Sequence, residues 1–178
     1  MRSIRGGVIA VLLSVFCAAC SGPSAEPPHG PDPLPPPADS SFRHEAAGIE
    51  FDVPGGWRSK TSTDRMTFAA PDGLLTVVLF TAPDEQMGVL ADEVNRQIGK
   101  IVANPVVEGD LVTTEMNGIP VLVQHGTGTV DGKSIEWRVR LVEAQQHVLV
   151  LAFGVPGSFD RHFAELDRFE RSIRRDSQ

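Results

Sequence analysis

Residues 117–141 read NGIPVLVQHGTGTVDGKSIEWRVRL, and residues 147–155 read HVLVLAFGV. Asn117-Gly118 and Asp131-Gly132 are two-residue hairpin signals, because both central positions of a type I′ turn need positive φ. Between them Ile119, Val121 and Val123 recur at every second residue, the period of a strand with one apolar face. His125 shares that inward-looking parity and reads as a core or edge residue in preference to a catalytic one. Gly126 and Gly128 then interrupt the pattern and predict a bulge or bend. After the second turn, Ile135, Trp137, Val139 and Leu141 alternate with Ser134, Glu136, Arg138 and Arg140. Residues 147–155 are apolar on both faces, which predicts a central strand covered on both sides. Tight hairpins make this part of the sheet antiparallel.

Working outward, Ile49-Glu50-Phe51-Asp52-Val53 alternates and predicts another half-buried strand, broken by Pro54-Gly55-Gly56 before Trp57. Met66 and Phe68 mark a short strand, Pro71-Asp72-Gly73 a turn, and Leu74 to Thr81 a second strand apolar on both faces. Pro83-Asp84 opens a predicted helix, with Asp84 as N-cap. Its stripe is Met87, Leu90, Val94, Ile98 and Ile101, and Asn104-Pro105 is expected to end it. Val106 to Glu115 reads as a weak strand interrupted by Gly109-Asp110. Pro156-Gly157-Ser158 caps a last helix whose apolar stripe is Phe159, Phe163, Leu166, Phe169 and Ile173. Burying each such side chain contributes about 1.5–3 kcal/mol, so this helix is expected to dock. Two strands apolar on both faces need cover on both sides. The predicted fold is therefore α+β: an α/β/α sandwich with a central antiparallel sheet of about six or seven strands and two main helices.

The N-terminus follows a different logic. Arg2 and Arg5 precede an apolar stretch from Gly6 to Ala19, too short for the roughly 20 residues of a membrane-spanning helix. A basic start, a short apolar run and small residues read as an export signal. The run Cys17-Ala18-Ala19-Cys20-Ser21-Gly22 resembles the bacterial lipobox, with Cys17 where leucine is usual. The resemblance implies cleavage before Cys20 and a diacylglyceryl group on its sulfur. Two or three acyl chains make a lasting anchor where one is marginal. Ser21 in place of an inner-membrane retention aspartate points to an outer-membrane destination facing the periplasm. Residues 21–41 hold eight of the 14 prolines, which remove amide donors and fix φ. They read as an extended tether reaching up to roughly 65 Å. The expected organisation is a signal over residues 1–19, a lipidated tether over 20–41 and one domain over 42–178.

Charge and residue inventory exclude several functions. The 178-residue chain carries a net charge of −7, and losing Arg2 and Arg5 would make it more acidic. Such a chain repels phosphate backbones, so no nucleic-acid partner is expected. The two cysteines are Cys17 and Cys20, so no catalytic thiol or disulfide is expected in the mature domain. No Gly-x-Ser-x-Gly is present, and Gly126-Thr127-Gly128 lacks the lysine of a phosphate-binding loop. Ser134 reads as a strand-face residue and Ser158 as a cap. His44 reads as solvated at the tether's edge, and His162 with Glu165 as an exposed i,i+3 pair.

Three short runs resemble the Mog1/PsbP-like superfamily, which includes bacterial DcrB-like lipoproteins. Gly48-Ile49-Glu50-Phe51-Asp52-Val53-Pro54-Gly55-Gly56-Trp57 resembles its opening motif, Met116-Asn117-Gly118-Ile119-Pro120 its middle hairpin, and Phe169-Glu170-Arg171-Ser172-Ile173 its closing helix. The resemblance covers residues 44–174 and implies the fold and order of elements. It carries no ligand set, so no metal or cofactor is expected.

One surface constellation remains. Glu136, Arg138 and Arg140 form a charge row on one strand, expected either as a solvated, cross-strand-paired face or as a docking surface for an acidic or polar partner. Trp57 and Trp137 are expected in the core. The resulting expectation is a membrane-anchored, non-enzymatic binding or adaptor lipoprotein at the cell envelope, contacting a protein partner. The alternative is a small-ligand or metal-binding periplasmic module.

Overall fold

A computed structural model describes residues 37–62, 65–81, 94, 96 and 98–176. The expected signal, Cys20 and most of the expected tether lie outside the described residues, as do Asp84, Met87 and Leu90 of the first predicted helix.

The domain opens with β1 (Ser40–His44) and β2 (Ile49–Val53), joined by a short 3-10 turn at Glu45–Ala47. Pairing starts two residues before the boundary read from composition. Ser40 lies opposite Val53, and Asp39 accepts a 2.9 Å hydrogen bond from the Gly55 amide. β3 (Arg58–Thr61), β4 (Arg65–Ala69) and β5 (Leu75–Thr81) form a meander. Residues 94, 96 and 98–101 are helical. β6 (Ala103–Met116), β7 (Ile119–Val130), β8 (Lys133–Val142) and β9 (Val148–Gly154) follow. The chain closes with α1 (Ser158–Arg161), α2 (Phe163–Ser172) and the two-residue β10 (Arg174–Arg175).

Seven strands form one antiparallel sheet in the order β3-β4-β5-β9-β8-β7-β6, with β1, β2 and β10 making a smaller sheet. The two strands read as apolar on both faces, β5 and β9, are neighbours at its centre. On one face Leu75, Val77, Val121, Val150 and Phe68 pack against Ile49 and Phe51 of the small sheet and Leu166 and Phe169 of α2. Phe51 meets Phe68 and Phe169 edge-on at 5.6 and 5.5 Å, a favoured geometry for aromatic rings. On the other face Val94, Ile98 and Val102 cover Trp137, Val139, Leu141 and Leu151. The predicted layers are therefore present, with a small sheet reinforcing the α2 side.

Both hairpin signals behave as read: Asn117, Gly118, Asp131 and Gly132 have φ of 52°, 74°, 50° and 75°. The glycine reading needs correction. β7 and β8 pair without a shift through Gly126 and Gly128. A Cβ on Gly126 would overlap the Val106 carbonyl and the Trp137 ring, and one on Gly128 would overlap Val102. These glycines permit close packing, and the register shifts lie on the opposing strand between Ala103/Val106 and Glu108/Val112. The helix expected to run to Asn104-Pro105 ends at residue 101 instead. β6 begins at Ala103, with Asn104 absorbing the change at φ 49°.

The resembling motifs tie the fold together physically. The Ser172 hydroxyl accepts a 2.8 Å hydrogen bond from the Asp52 amide. The Asn117 side chain donates to the carbonyls of Arg171 and Ile173 at 2.7 and 2.8 Å. Opening strand, middle hairpin and closing helix thus meet at one corner.

The last helix is not continuous. His162 (φ −102°, ψ 17°) separates α1 from α2. The break rotates the predicted stripe: Leu166, Phe169 and Ile173 are buried, Phe159 is half-buried and Phe163 is 62% exposed. Ser158 is not a cap either. Gly157 holds the N-cap position without a side-chain bond, and the buried Ser158 hydroxyl has no hydrogen-bond partner.

Candidate functional site

The same face of the sheet changes character along its strands. On β7 the sequence Ile119, Val121, Val123 ends at His125, and on β8 Val142 gives way to Arg140, Arg138 and Glu136. His125 lies opposite Arg138, and Thr127 opposite Glu136. The small sheet and α2 cover the apolar part; the polar part is open. His125, expected as a core or edge residue, is exposed because its parity is inward but no layer reaches over it. Trp57 and Trp137 are both buried, and the Trp137 indole donates to the Thr127 carbonyl at 2.9 Å, so neither offers a stacking platform.

The polar part is the floor of a groove walled by α1 and α2. It holds two adjoining cavities of about 260 and 230 Å³ that share Arg138, Phe159 and Asp160. The Arg138 guanidinium lies 5.2 Å from the Phe159 ring centroid, a cation–π contact that separates them. Arg140 is paired with Glu170 of α2, both largely buried. Burial pushes the Glu170 carboxyl above its ordinary range despite the Arg140 charge, and lowers the Arg140 guanidinium despite Glu170. Glu136 accepts a 3.3 Å hydrogen bond from the Gly157 amide at the start of α1.

All three residues of the predicted charge row therefore line one groove, but its chemistry differs from the expectation. Glu108, Glu136, Asp160, Asp167 and Glu170 surround Arg138 and Arg140. The arginines are engaged and the carboxylates outnumber them, so the groove lining carries a net negative charge. Sequence reasoning missed Phe159, Phe163, Asp160 and Glu170 as groove residues, because their placement depends on the helix break at His162.

His162 holds that break. Its ring is buried, with Nδ1 at 2.6 Å from Glu165 and Nε2 at 3.0 Å from Asp72 in the β4–β5 turn. Trp57 packs edge-on at 6.3 Å, and Arg161 lies 3.5 Å from Asp72. Burial favours the neutral ring, but the hydrogen bonds and charges of Glu165 and Asp72 together outweigh it and raise the pKa. The Leu74 amide, then His162 and Arg161, hold the Asp72 carboxyl below its ordinary range. The pair read as exposed is thus a latch around a buried ring, its two carboxylates about one-third exposed. The two carboxylates sit on opposite nitrogens and cannot share an ion with the ring. Among the described residues no three His, Cys, Asp or Glu side chains are placed to hold one metal ion. His44, read as solvated, is buried at the end of β1, and burial lowers its pKa against a backbone hydrogen bond.

No protein-family model matches the sequence, and neither does any curated protein sequence. Solved structures do match. PsbP (CyanoP) from Synechocystis sp. PCC 6803 is 12% identical, with a TM-score of 0.52, over 84% of this chain and 99% of that one. The fold is PsbP-like. PA94 from Pseudomonas aeruginosa, a protein of unknown function, is 12% identical with a TM-score of 0.48, over 79% and 99% of the two chains. LpqN of Mycobacterium tuberculosis, involved in cell envelope biogenesis, is 14% identical with a TM-score of 0.47, over 76% and 89%. At these identities the likeness speaks to fold alone. Among the described residues no helix is long and apolar enough to cross a membrane.

Proposed function

We propose that this chain is a lipid-anchored bacterial envelope protein whose domain is a non-enzymatic binding or adaptor module, and that its groove is the partner site. The anchor is the lipid on Cys20, the tether is the proline-rich run, and the destination is the outer membrane facing the periplasm. The support for this address is the basic, apolar and lipobox-like order of residues 2–22.

The observation that carries the binding reading is the convergence of Glu136, Arg138 and Arg140 with Phe159 and Asp160 on one uncovered sheet face. The rim residue Phe163, 62% exposed, adds an aromatic anchor of the kind that dominates interfaces. Each cavity is smaller than the roughly 300–1,000 Å³ of small-molecule sites. That favours individual side chains of a protein partner over a whole small ligand.

A photo-crosslinking benzoylphenylalanine at Phe163, in intact cells, should give an adduct of one defined mass that is lost when Asp160→Lys is added. The same probe at Lys60 on the opposite edge should give none. Equal labelling at both positions would sink the groove reading. For the anchor, Cys20→Ser should move the protein from the membrane pellet to the soluble fraction; unchanged pelleting would refute it.

A further inference from the structure

The seven-stranded sheet ends, among the described residues, at β6, and every residue from Ala103 to Glu115 is exposed. Four apolar side chains stand out on it: Val106 at 57%, Val107 at 42%, Leu111 at 37% and Val112 at 55%. Its charges are all of one sign, Glu108, Asp110 and Glu115, with no base between Ala103 and Met116. An end strand of 14 residues presents a row of main-chain donors and acceptors to any strand that can approach.

We propose that β6 is a docking edge for an extended, basic segment of a partner protein, which adds as an eighth strand and sends basic side chains over the rim into the groove. The groove reading supplies the partner's charge, but the edge is a separate surface with its own test. The strand geometry is suited to this in one stretch above all. Val112 to Met116 keep regular register with β7, Val112 opposite Val123 and Met116 opposite Ile119. Beyond the register shift, Glu108 lies opposite His125 and lines the first cavity with Glu136 and Asp160. By register, Val106, Glu108 and Val112 lie on the same sheet face as Thr127, His125 and Val123. An incoming strand therefore meets apolar, acidic and apolar contacts in turn on the groove side. Main-chain pairing supplies affinity and alternate side chains supply specificity in such strand addition.

A second copy of the chain is the less suitable occupant. Two β6 edges brought together would align six carboxylates with no base on either strand, and like charges opposite each other in a ladder are destabilising. A basic strand reverses the sign of every one of those contacts.

The test uses the full-length protein in detergent and an octapeptide alternating lysine and valine. Two controls share its length: one with alternate amides N-methylated, which cannot pair as a strand, and one with glutamate for lysine. Hydrogen exchange read by mass spectrometry should slow about tenfold or more across residues 106–116 with the lysine peptide alone. Exchange in β9 should not change. The double variant Glu108→Lys, Glu115→Lys should weaken the peptide's apparent affinity about tenfold. Equal protection by the N-methylated peptide would mean charge attraction without strand addition, and would overturn the proposal. So would protection by the glutamate peptide, or none by the lysine peptide at millimolar concentration. Protection of β6 without peptide that rises with protein concentration would assign the edge to a second copy instead. Each of these outcomes is independent of crosslinking at Phe163, so the edge and the groove can fail separately.

Discussion

One face of the central sheet contains two regions with opposite fates. Toward the Asn117-Gly118 turn, Ile119, Val121, Val142 and Val148 lie under the small sheet and α2, fully shielded from water. Toward the Asp131-Gly132 turn, the same strands present His125, Arg140, Arg138 and Glu136 to an open groove. The same backbone ladder runs through both regions. The difference lies in where the covering layer stops. Cover makes a core from one part of the face; its absence makes a binding surface from the other. Glu170 and Arg140 stand at the seam, a buried ion pair between apolar roof and polar groove.

The largest effect should come from the covered region. Phe169 is fully buried among Phe51 and Phe68. Phe169→Ala should cost about 3–5 kcal/mol in denaturant unfolding, by lost transfer energy and the cavity left behind. A loss below about 1 kcal/mol would mean that the roof is not packed as described. Next comes the seam. Glu170→Gln leaves the Arg140 guanidinium without its counter-charge and should cost about 3 kcal/mol, the low end for breaking a buried pair. Replacing both, Glu170→Leu with Arg140→Met, should recover most of that loss. If the double variant is as unstable as the single one, the seam is held by something other than charge.

How much of this contrast could be read from residues follows from what periodicity measures. Alternation in Ile135 to Leu141 assigns each side chain to a face, and those assignments hold. Alternation says nothing about how far a covering layer extends along that face. Parity therefore places His125 on the correct side and leaves open whether it is covered. The same limit applies to Phe163. A continuous helical stripe assumes unbroken 3.6-residue geometry, and the latch from His162 to Asp72, 90 residues away in sequence, ends that assumption. The hairpins were legible because a type I′ turn is a local demand on two residues. β3 and β10 were not, since Arg58-Ser59-Lys60-Thr61 and Arg174-Arg175 carry no apolar alternation and become strands only by pairing. The groove's charge row was legible; its sign was not, because Asp160, Asp167 and Glu170 arrive from another element.

The latch offers a smaller and pH-dependent way to shift the boundary. Because the His162 pKa is raised, its contribution is fully present below 6.5 and is lost as pH rises through the folded value. The Asp72 pKa is lowered, so its contribution is present above 3.8 and is lost as pH falls through its folded value. The latch is therefore strongest between those two values. His162→Gln should destabilise the protein by on the order of 1 kcal/mol at pH 5.5, and by less at pH 8.5, because the charged ring's contribution declines as pH rises. Unfolding curves of both proteins at the two pH values measure this. A gap that widens with pH would reverse the sign and rule out a charged latch.

The smallest effect on stability should come from the sheet's end. β3, the opposite edge, is four residues long and carries Arg58 and Lys60, a length and charge that discourage strand addition. β6 has neither protection along Val112 to Met116. Val112→Lys adds to β6 the charge that β3 already has. Since Val112 is more than half exposed, the change should alter unfolding free energy by no more than about 0.5 kcal/mol. It should nonetheless abolish the protection of β6 by the lysine–valine peptide, because a like charge now faces every approaching basic strand. A variant that is equally stable and still fully protected would show that pairing tolerates a base at the centre of the edge. The partner's sign would then have to be sought in the groove alone. Stability and recognition come apart at β6 because its outward groups make no contact that folding needs, whereas at Phe169 the same contacts serve the fold and leave nothing for a partner.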